Sequence, residues 1–308
     1  MRTSMTATLA VTTLLVLLAV SLGVTTPAHA DDVDGNVTGG DVNYAGNTVP
    51  PEVQAQARMK GQLAALHRAR KNGEAGADRA FDDALRSYEA RYGELATAAR
   101  DGQLATLSGR GTSGGGEMSA ASFDWTKKIL PVAHYGQING YFCGPGSGKM
   151  ILKFLNEGLS AYNGASQDQD HIGGSAHMRT WINGKTGWTS GLFRIGLNRW
   201  RGGEDWGWYL DIHDPTVSGF KDALAFDIDY GMPFGADTVE FAGGTHYNGH
   251  PNNKTIGHWI VVHGYIDTGS ETKFADPSTS VWPEVNKHFR YGTHGFVTTF
   301  LNNNGITW

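Results

Sequence analysis

A single cysteine, Cys143, in 308 residues rules out any disulfide within the chain. Whatever the chain folds into must be held by burial of apolar side chains, and it is long enough for one full-sized core plus a smaller accessory region. The constraint matters because residues 1–30 read as an export signal. Arg2 supplies a weak positive start, Leu9 to Val24 form an apolar run, and Ala28-His29-Ala30 gives a small-x-small cleavage pattern. That run is shorter than the ~18–20 apolar residues a membrane span requires. The mature protein is therefore expected to begin near Asp31, to be secreted, and to leave no membrane contact after signal removal; the signal and the composition suggest a bacterium. Cysteines of exported proteins are usually paired, and a lone thiol there risks oxidation and unwanted dimerisation. It reads either as a small buried hydrophobe or as a thiol kept for chemistry, and the count favours neither.

Net charge is −5 and no basic stripe is present, so nucleic acid is not an expected partner. Residues 31–50 are polar and Gly-rich and are expected to be disordered. From 51 to 107 the pattern is helical: Met59, Leu63 and Leu66 make one stripe, and Phe81, Leu85, Tyr88 and Tyr92 another. Asn72-Gly73 and Gly76 separate them, with Asp78 as a candidate cap, so a helical hairpin is expected. Residues 108–121 have the composition of a flexible Gly/Ser linker, which places a domain boundary there. The hairpin is small for a domain and could be a pro-segment, a spacer or a docking element; Gly114-Gly115-Gly116 offers a site for its release.

The remaining unit, 122–308, reads as helices first and strands afterwards. Helices are expected over about 144–159, 189–200 and 216–229, the last with Phe220, Leu224 and Ile228 at period four. Strands are expected around Val239 and Phe241, from His258 to Tyr265, from Thr272 to Ala275 and from Gly295 to Leu301. This order implies an α+β domain with an antiparallel sheet.

Three segments carry chemistry: Gln137-Ile-Asn-Gly-Tyr141-Phe-Cys143-Gly-Pro145, Gly257-His258-Trp-Ile-Val-Val-His263-Gly-Tyr265, and Phe274-Ala-Asp276-Pro277. Cys143 stands where a loop meets a helix start, and Pro145 fits the first turn. The unpaired amides and dipole of a helix N-terminus favour a thiolate, the form that attacks carbonyl carbon. His258 opens an apolar strand and can face a cleft from rigid backbone. His263 has the opposite parity and reads as a structural histidine. Asp267-Thr-Gly-Ser turns the chain back, so that Asp276 returns near His258, where a carboxylate can hold the imidazole in one tautomer. Asp267 lies in the turn, too far away for that role. Gln137, six residues before Cys143, could aim its amide at an oxyanion beside the Cys143 backbone amide.

Gly146, Gly148 and Lys149 do not make a phosphate loop: Cys143 occupies the place of the first glycine and Met150 that of the Ser or Thr. His246, His250, His258 and His263 are candidate zinc ligands by residue type. Gly249 and Pro251 argue against a helix at His246-x-x-x-His250, and no Glu follows His246, so neither a metal nor a cofactor is expected.

Taken together, Gln-x-x-x-Tyr-Phe-Cys-Gly-Pro, Gly-His-Trp-Ile-Val-Val-x-Gly-Tyr and Ala-Asp-Pro resemble the double-glycine (bacteriocin-processing) peptidase-like family of papain-fold cysteine peptidases. Met178-Arg-Thr, Gly187-Trp-Thr-Ser190 and Leu197-Asn198 resemble that family's middle section, and the resemblance covers roughly residues 123–300. It implies a papain-like cysteine peptidase fold with Cys143 as nucleophile, His258 as base, Asp276 as orienting acid and Gln137 at the oxyanion hole. A peptide or protein substrate, no cofactor and a monomeric chain are expected. The Trp/Gly-rich stretch 181–210 and the loop 241–256 depart from the family pattern, so substrate preference does not carry over. Two other readings stay open: an acyl transferase using the same three residues, and a non-enzymatic module binding cell wall or protein through the tryptophan-rich stretch.

Overall fold

Two paired two-residue strands, a helical hairpin and then an α+β unit follow one another along the chain. The computed structural model describes residues 43–44, 47–107 and 126–308; residues 1–30, expected as an export signal, most of the segment 31–50 and the expected linker 108–121 lie outside the described residues. Within 31–50, β1 (Asn43–Tyr44) and β2 (Asn47–Thr48) pair antiparallel, and Val49 is buried with Val53 and Leu210.

Helix α1 (Pro51–Lys71) begins with proline at its first position, where no amide donor is needed. It packs on α2 (Ala77–Leu107), which kinks at Tyr92. The short strand β3 (Lys127–Ile129) precedes α3 (Cys143–Phe154), the one-turn helices α4 (Gln169–Ile172) and α5 (Thr180–Asn183), and α6 (Leu192–Gly202). After β4 (Asp211–His213) comes α7 (Val217–Asp229), with Thr216 as N-cap accepting from the Gly219 amide at 3.0 Å. Then follow β5 (Phe234–Glu240), β6 (Ile256–Ile266), β7 (Glu271–Ala275), β8 (His288–Gly292), α8 (Thr293–Phe300) and β9 (Gly305–Thr307).

The sheet runs β4-β9-β5-β6-β7-β8, with β3 pairing the far end of β6, and every pairing is antiparallel. The expected α+β class with an antiparallel sheet is the class observed. Strand β6 is its spine: it is buried almost throughout, which an uninterrupted apolar run requires.

Two elements differ from the sequence expectation. The helix opening at Cys143 ends at Phe154 rather than near 159, and Asn156 turns the chain out of it at φ 54°. Residues 295–301, expected as a strand from their Phe/Val/Thr content, lie in α8 and its C-cap. Phe296, Val297 and Phe300 share one helical face and are buried against Phe274, Tyr247 and Tyr291. Packing on the sheet overrides β-propensity there.

The hairpin shares its core with the sheet unit instead of standing apart beyond the linker. Leu63, Ala64, Phe81 and Tyr88 belong to the same buried cluster as Trp208, Phe226 and Ile228. Polar residues stitch this seam. Lys60 is fully buried, 3.4 Å from Asp227 and 4.3 Å from the centroids of both Trp208 and Trp308. Burial pushes Lys60 down to about 8 even though Asp227 pulls it up, and burial pushes Asp227 up to about 6 against the pull of Lys60. Each group carries a desolvation cost that its partner offsets in part, with the Trp208 carbonyl also accepting from Lys60 at 3.2 Å. Lys60→Ala is therefore expected to cost about 3–5 kcal/mol, because it strands a buried carboxylate. The double variant Lys60→Met/Asp227→Leu should cost far less; urea unfolding of the two proteins checks this.

Candidate active site

The first turn of α3 is pressed between two walls. A Cβ on Gly144 would overlap the side chain of Thr186, and one on Gly146 would lie 2.8 Å from Cβ of Pro277. Glycine at these two places lets the helix start approach both the 184–186 loop and the segment after β7. Cys143, the first residue of α3, is half-buried at this junction, where first-turn amides lack intrahelical partners.

Beside it lies a cleft of about 320 Å³, lined among others by Gln137, Tyr141, Cys143, Lys185, Thr186, Lys254, His258, Trp259 and Trp282. Its lining includes Gly184 to Thr186 and Lys254 to Ile256. Tyr141 and Trp181 are exposed near the mouth, with ring centroids 6.1 Å apart.

His258 lies in β6 opposite Thr238 of β5, whose hydroxyl donates to the His258 carbonyl at 2.8 Å. Its Nε2 is 2.9 Å from Oδ1 of Asp276. An ionised carboxylate only accepts, so Nε2 carries the proton, and Nδ1 of the neutral ring is left as a base. The expected β6–β7 hairpin does bring Asp276 back to His258, one residue beyond the end of β7.

Asp276 is fully buried and accepts from five donors. The Ser278 amide (2.8 Å), the Ser278 hydroxyl (2.6 Å) and His258 reach Oδ1. Asn248 Nδ2 and His250 Nε2, each at 2.9 Å, reach Oδ2. Burial alone would raise this carboxyl, but His258 and His250 hold it well below the usual carboxylate range.

Gln137 is buried and lines the cleft. Its backbone amide donates to Pro277 O at 2.7 Å, and its Nε2 donates to Asn139 O at 2.6 Å. The side-chain amide carries a second N–H besides the one given to Asn139. His263, by contrast, is remote: its Nδ1 donates to Leu130 O at 2.9 Å, and burial pushes it down to about 4. The four histidines weighed as zinc ligands thus do not converge.

His250, His258 and Asp276 do lie close enough to offer one ligand atom each. Their contacts, however, are hydrogen bonds at 2.9 Å, with Ser278 and Asn248 filling the remaining carboxylate positions. The donor set is that of a proton-linked network. Sequence reasoning considered His250 only as a metal ligand in a loop. Its partner Glu240, 3.0 Å away, closes β5 and carried no separable sequence signal.

The helical hairpin stays away from this cleft. Among the described residues none of 51–92 lines it, and Lys71 instead contacts Tyr265 Oη at 3.0 Å. Tyr265 is seven residues along β6 from His258, roughly 23 Å at ~3.3 Å per residue.

A family model described as "Peptidase_C39 like family" matches residues 129–300, more than half of the chain. No curated protein matches the chain.

Proposed function

Because the chain belongs to the Peptidase_C39 like family, a family of peptidases, we propose that it is a secreted bacterial cysteine peptidase working through a thioacyl intermediate. Cys143 is its nucleophile, His258 its base, Asp276 the orienting acid and Gln137 an oxyanion donor. The observation that carries this reading is the His258–Asp276 contact at 2.9 Å, opening on the same cleft as a cysteine at a helix N-terminus.

The chemistry follows from these positions. His258 Nδ1 takes the thiol proton, and the thiolate attacks the carbonyl carbon of the scissile bond. The electron pair of the C=O moves to oxygen, where the second N–H of Gln137 and the Cys143 amide can donate to it. Collapse of this intermediate expels the amine, which takes the proton from the imidazolium, and leaves a thioester on Cys143. Water, losing its proton to His258, then attacks the thioester; the acid departs and the thiol is restored. Throughout, Asp276 keeps the ring in one tautomer and stabilises its charged form.

Alkylation tests the reading directly. An ordinary thiol of pKa ~8.5 is ionised to well under about 1 per cent at pH 6. Iodoacetamide is expected to modify Cys143 at pH 6 at least about tenfold faster than it modifies the urea-unfolded protein, as followed by intact mass. Equal rates in the two states would contradict the reading.

A further inference from the structure

His250 has a carboxylate on each ring nitrogen. Nδ1 faces both Glu240 oxygens, at 3.0 and 3.1 Å, and Nε2 faces Asp276 Oδ2 at 2.9 Å. Its side chain and those of both carboxylates are fully buried. Two ionised carboxylates can each receive a hydrogen bond only if both nitrogens carry hydrogen, so the geometry itself asks for an imidazolium. The loop that delivers this residue is anchored rather than loose. Tyr247 stacks on Phe289 with centroids 5.3 Å apart, and its hydroxyl lies 2.7 Å from Thr238 Oγ1.

We propose that His250, held between Glu240 and Asp276, is a positioning residue that fixes the plane of the Asp276 carboxylate and through it the ring of His258. This rests on the peptidase reading of the same site and extends it by a second pair. The chain of contacts runs Glu240, His250, Asp276, His258. Removing His250 would leave Oδ2 to Asn248 alone, loosening the carboxylate's plane and weakening the alignment of Oδ1 with His258 Nε2. The buried positive charge acts in the same direction, because its ring lies 5.2 Å from that of His258 and it favours a thiolate nearby.

The charged and titratable groups around His250 come from several elements. Glu240 ends β5, His246 lies on the loop with Nε2 3.7 Å from Glu240, His258 is in β6, and Asp276 follows β7. Tyr247 packs on the His250 ring, as does Trp282, which also carries Lys254 over its own ring. Burial lowers His250, but the hydrogen bonds and charges of Asp276 and Glu240 outweigh it and raise the group to about 9, so the imidazolium persists through neutral pH.

The test compares wild type with His250→Gln and Glu240→Gln. The readouts are iodoacetamide alkylation of Cys143 from pH 5 to 9, turnover of a quenched-fluorescence peptide mixture, and near-UV circular dichroism. Loss of orientation and loss of the cation both raise the thiol's apparent pKa. His250→Gln is expected to raise it by about one unit, which slows alkylation about tenfold at pH values below the wild-type thiol's apparent pKa. It should also lower kcat about tenfold with KM within about twofold. Glu240→Gln keeps an acceptor but removes the charge that secures the Nδ1 proton, and shifts the profile the same way by less.

Native-like spectra with alkylation profiles coincident with wild type would overturn the proposal. So would loss of the folded spectrum in both variants, which would make stability the pair's whole role. A profile shift in a protein that turns over no peptide would leave the positioning role standing and refute peptide cleavage instead.

Discussion

Cys143→Ala is expected to abolish turnover, by at least about 10⁴-fold in kcat, since knocking out a nucleophile of this type removes the whole covalent pathway. The same variant should take up no thiol-directed label under any condition, because no other cysteine exists in the chain. Stability should change little. Cys143 is half-buried at the first position of a helix, and alanine suits that backbone. The pairing of lost activity with an unchanged urea midpoint is the discriminating result. A folded Cys143→Ala protein that still cleaved peptides would sink the proposed mechanism. If, in contrast, wild type cleaves nothing but binds cell wall or protein, the reading passes to the non-enzymatic module.

The second large effect belongs to Asp276. Replacing it by asparagine preserves size but offers an amide where two imidazoles, a hydroxyl, a backbone amide and Asn248 all donate. His258 is then free to take the other tautomer, and losses on the order of 10³–10⁴ in kcat are expected with KM little altered. Stability falls as well, with a defined pH signature. The folded carboxyl is held well below its unfolded value near 3.8. Its contribution is therefore fully present above that value and is lost as pH falls below it. Because Asp276 also helps hold His250 up to about 9, the stability gap between wild type and Asp276→Asn should be largest between about pH 4 and 6.5, narrow as pH rises toward 9, and shrink progressively below about pH 4. Urea unfolding at a series of pH values measures it. A gap that widened below about pH 4 would contradict the ionised, multiply bonded carboxylate.

How far these residues could be read in advance depended on what kind of pattern carries each one. Cys143 and Pro145 announce a helix start through local chemistry, and α3 begins at Cys143. His258 and Asp276 are linked by a single hairpin whose turn residues, Asp267 to Ser270, are explicit; strand pairing with Val261 opposite Ala275 brings them together two residues off the continued register. Fold class was readable for the same reason, since periods of four and of two are properties of adjacent residues. Residues 295–301 were misread as a strand because Phe, Val and Thr prefer strands, while the packing of Phe296 and Phe300 on Phe274 and Tyr291 decides otherwise.

By itself, then, the sequence determined the single thiol, the α+β order, and the succession Gln137, Cys143, His258, Asp276. Only the tertiary structure decided that the hairpin of 51–92 is built into the main core through Lys60 and Asp227, and that Glu240 and His250 stand behind Asp276. The physical reason is common to both. A buried ion or hydrogen-bonded pair is sustained by partners up to 167 residues away, and neither member leaves a periodic trace: Lys60 lies on the buried face of an otherwise ordinary polar helix, and His250 lies in a glycine-rich loop. Desolvation makes such groups costly unless every partner is in place, and that condition is met only once the chain has closed on itself.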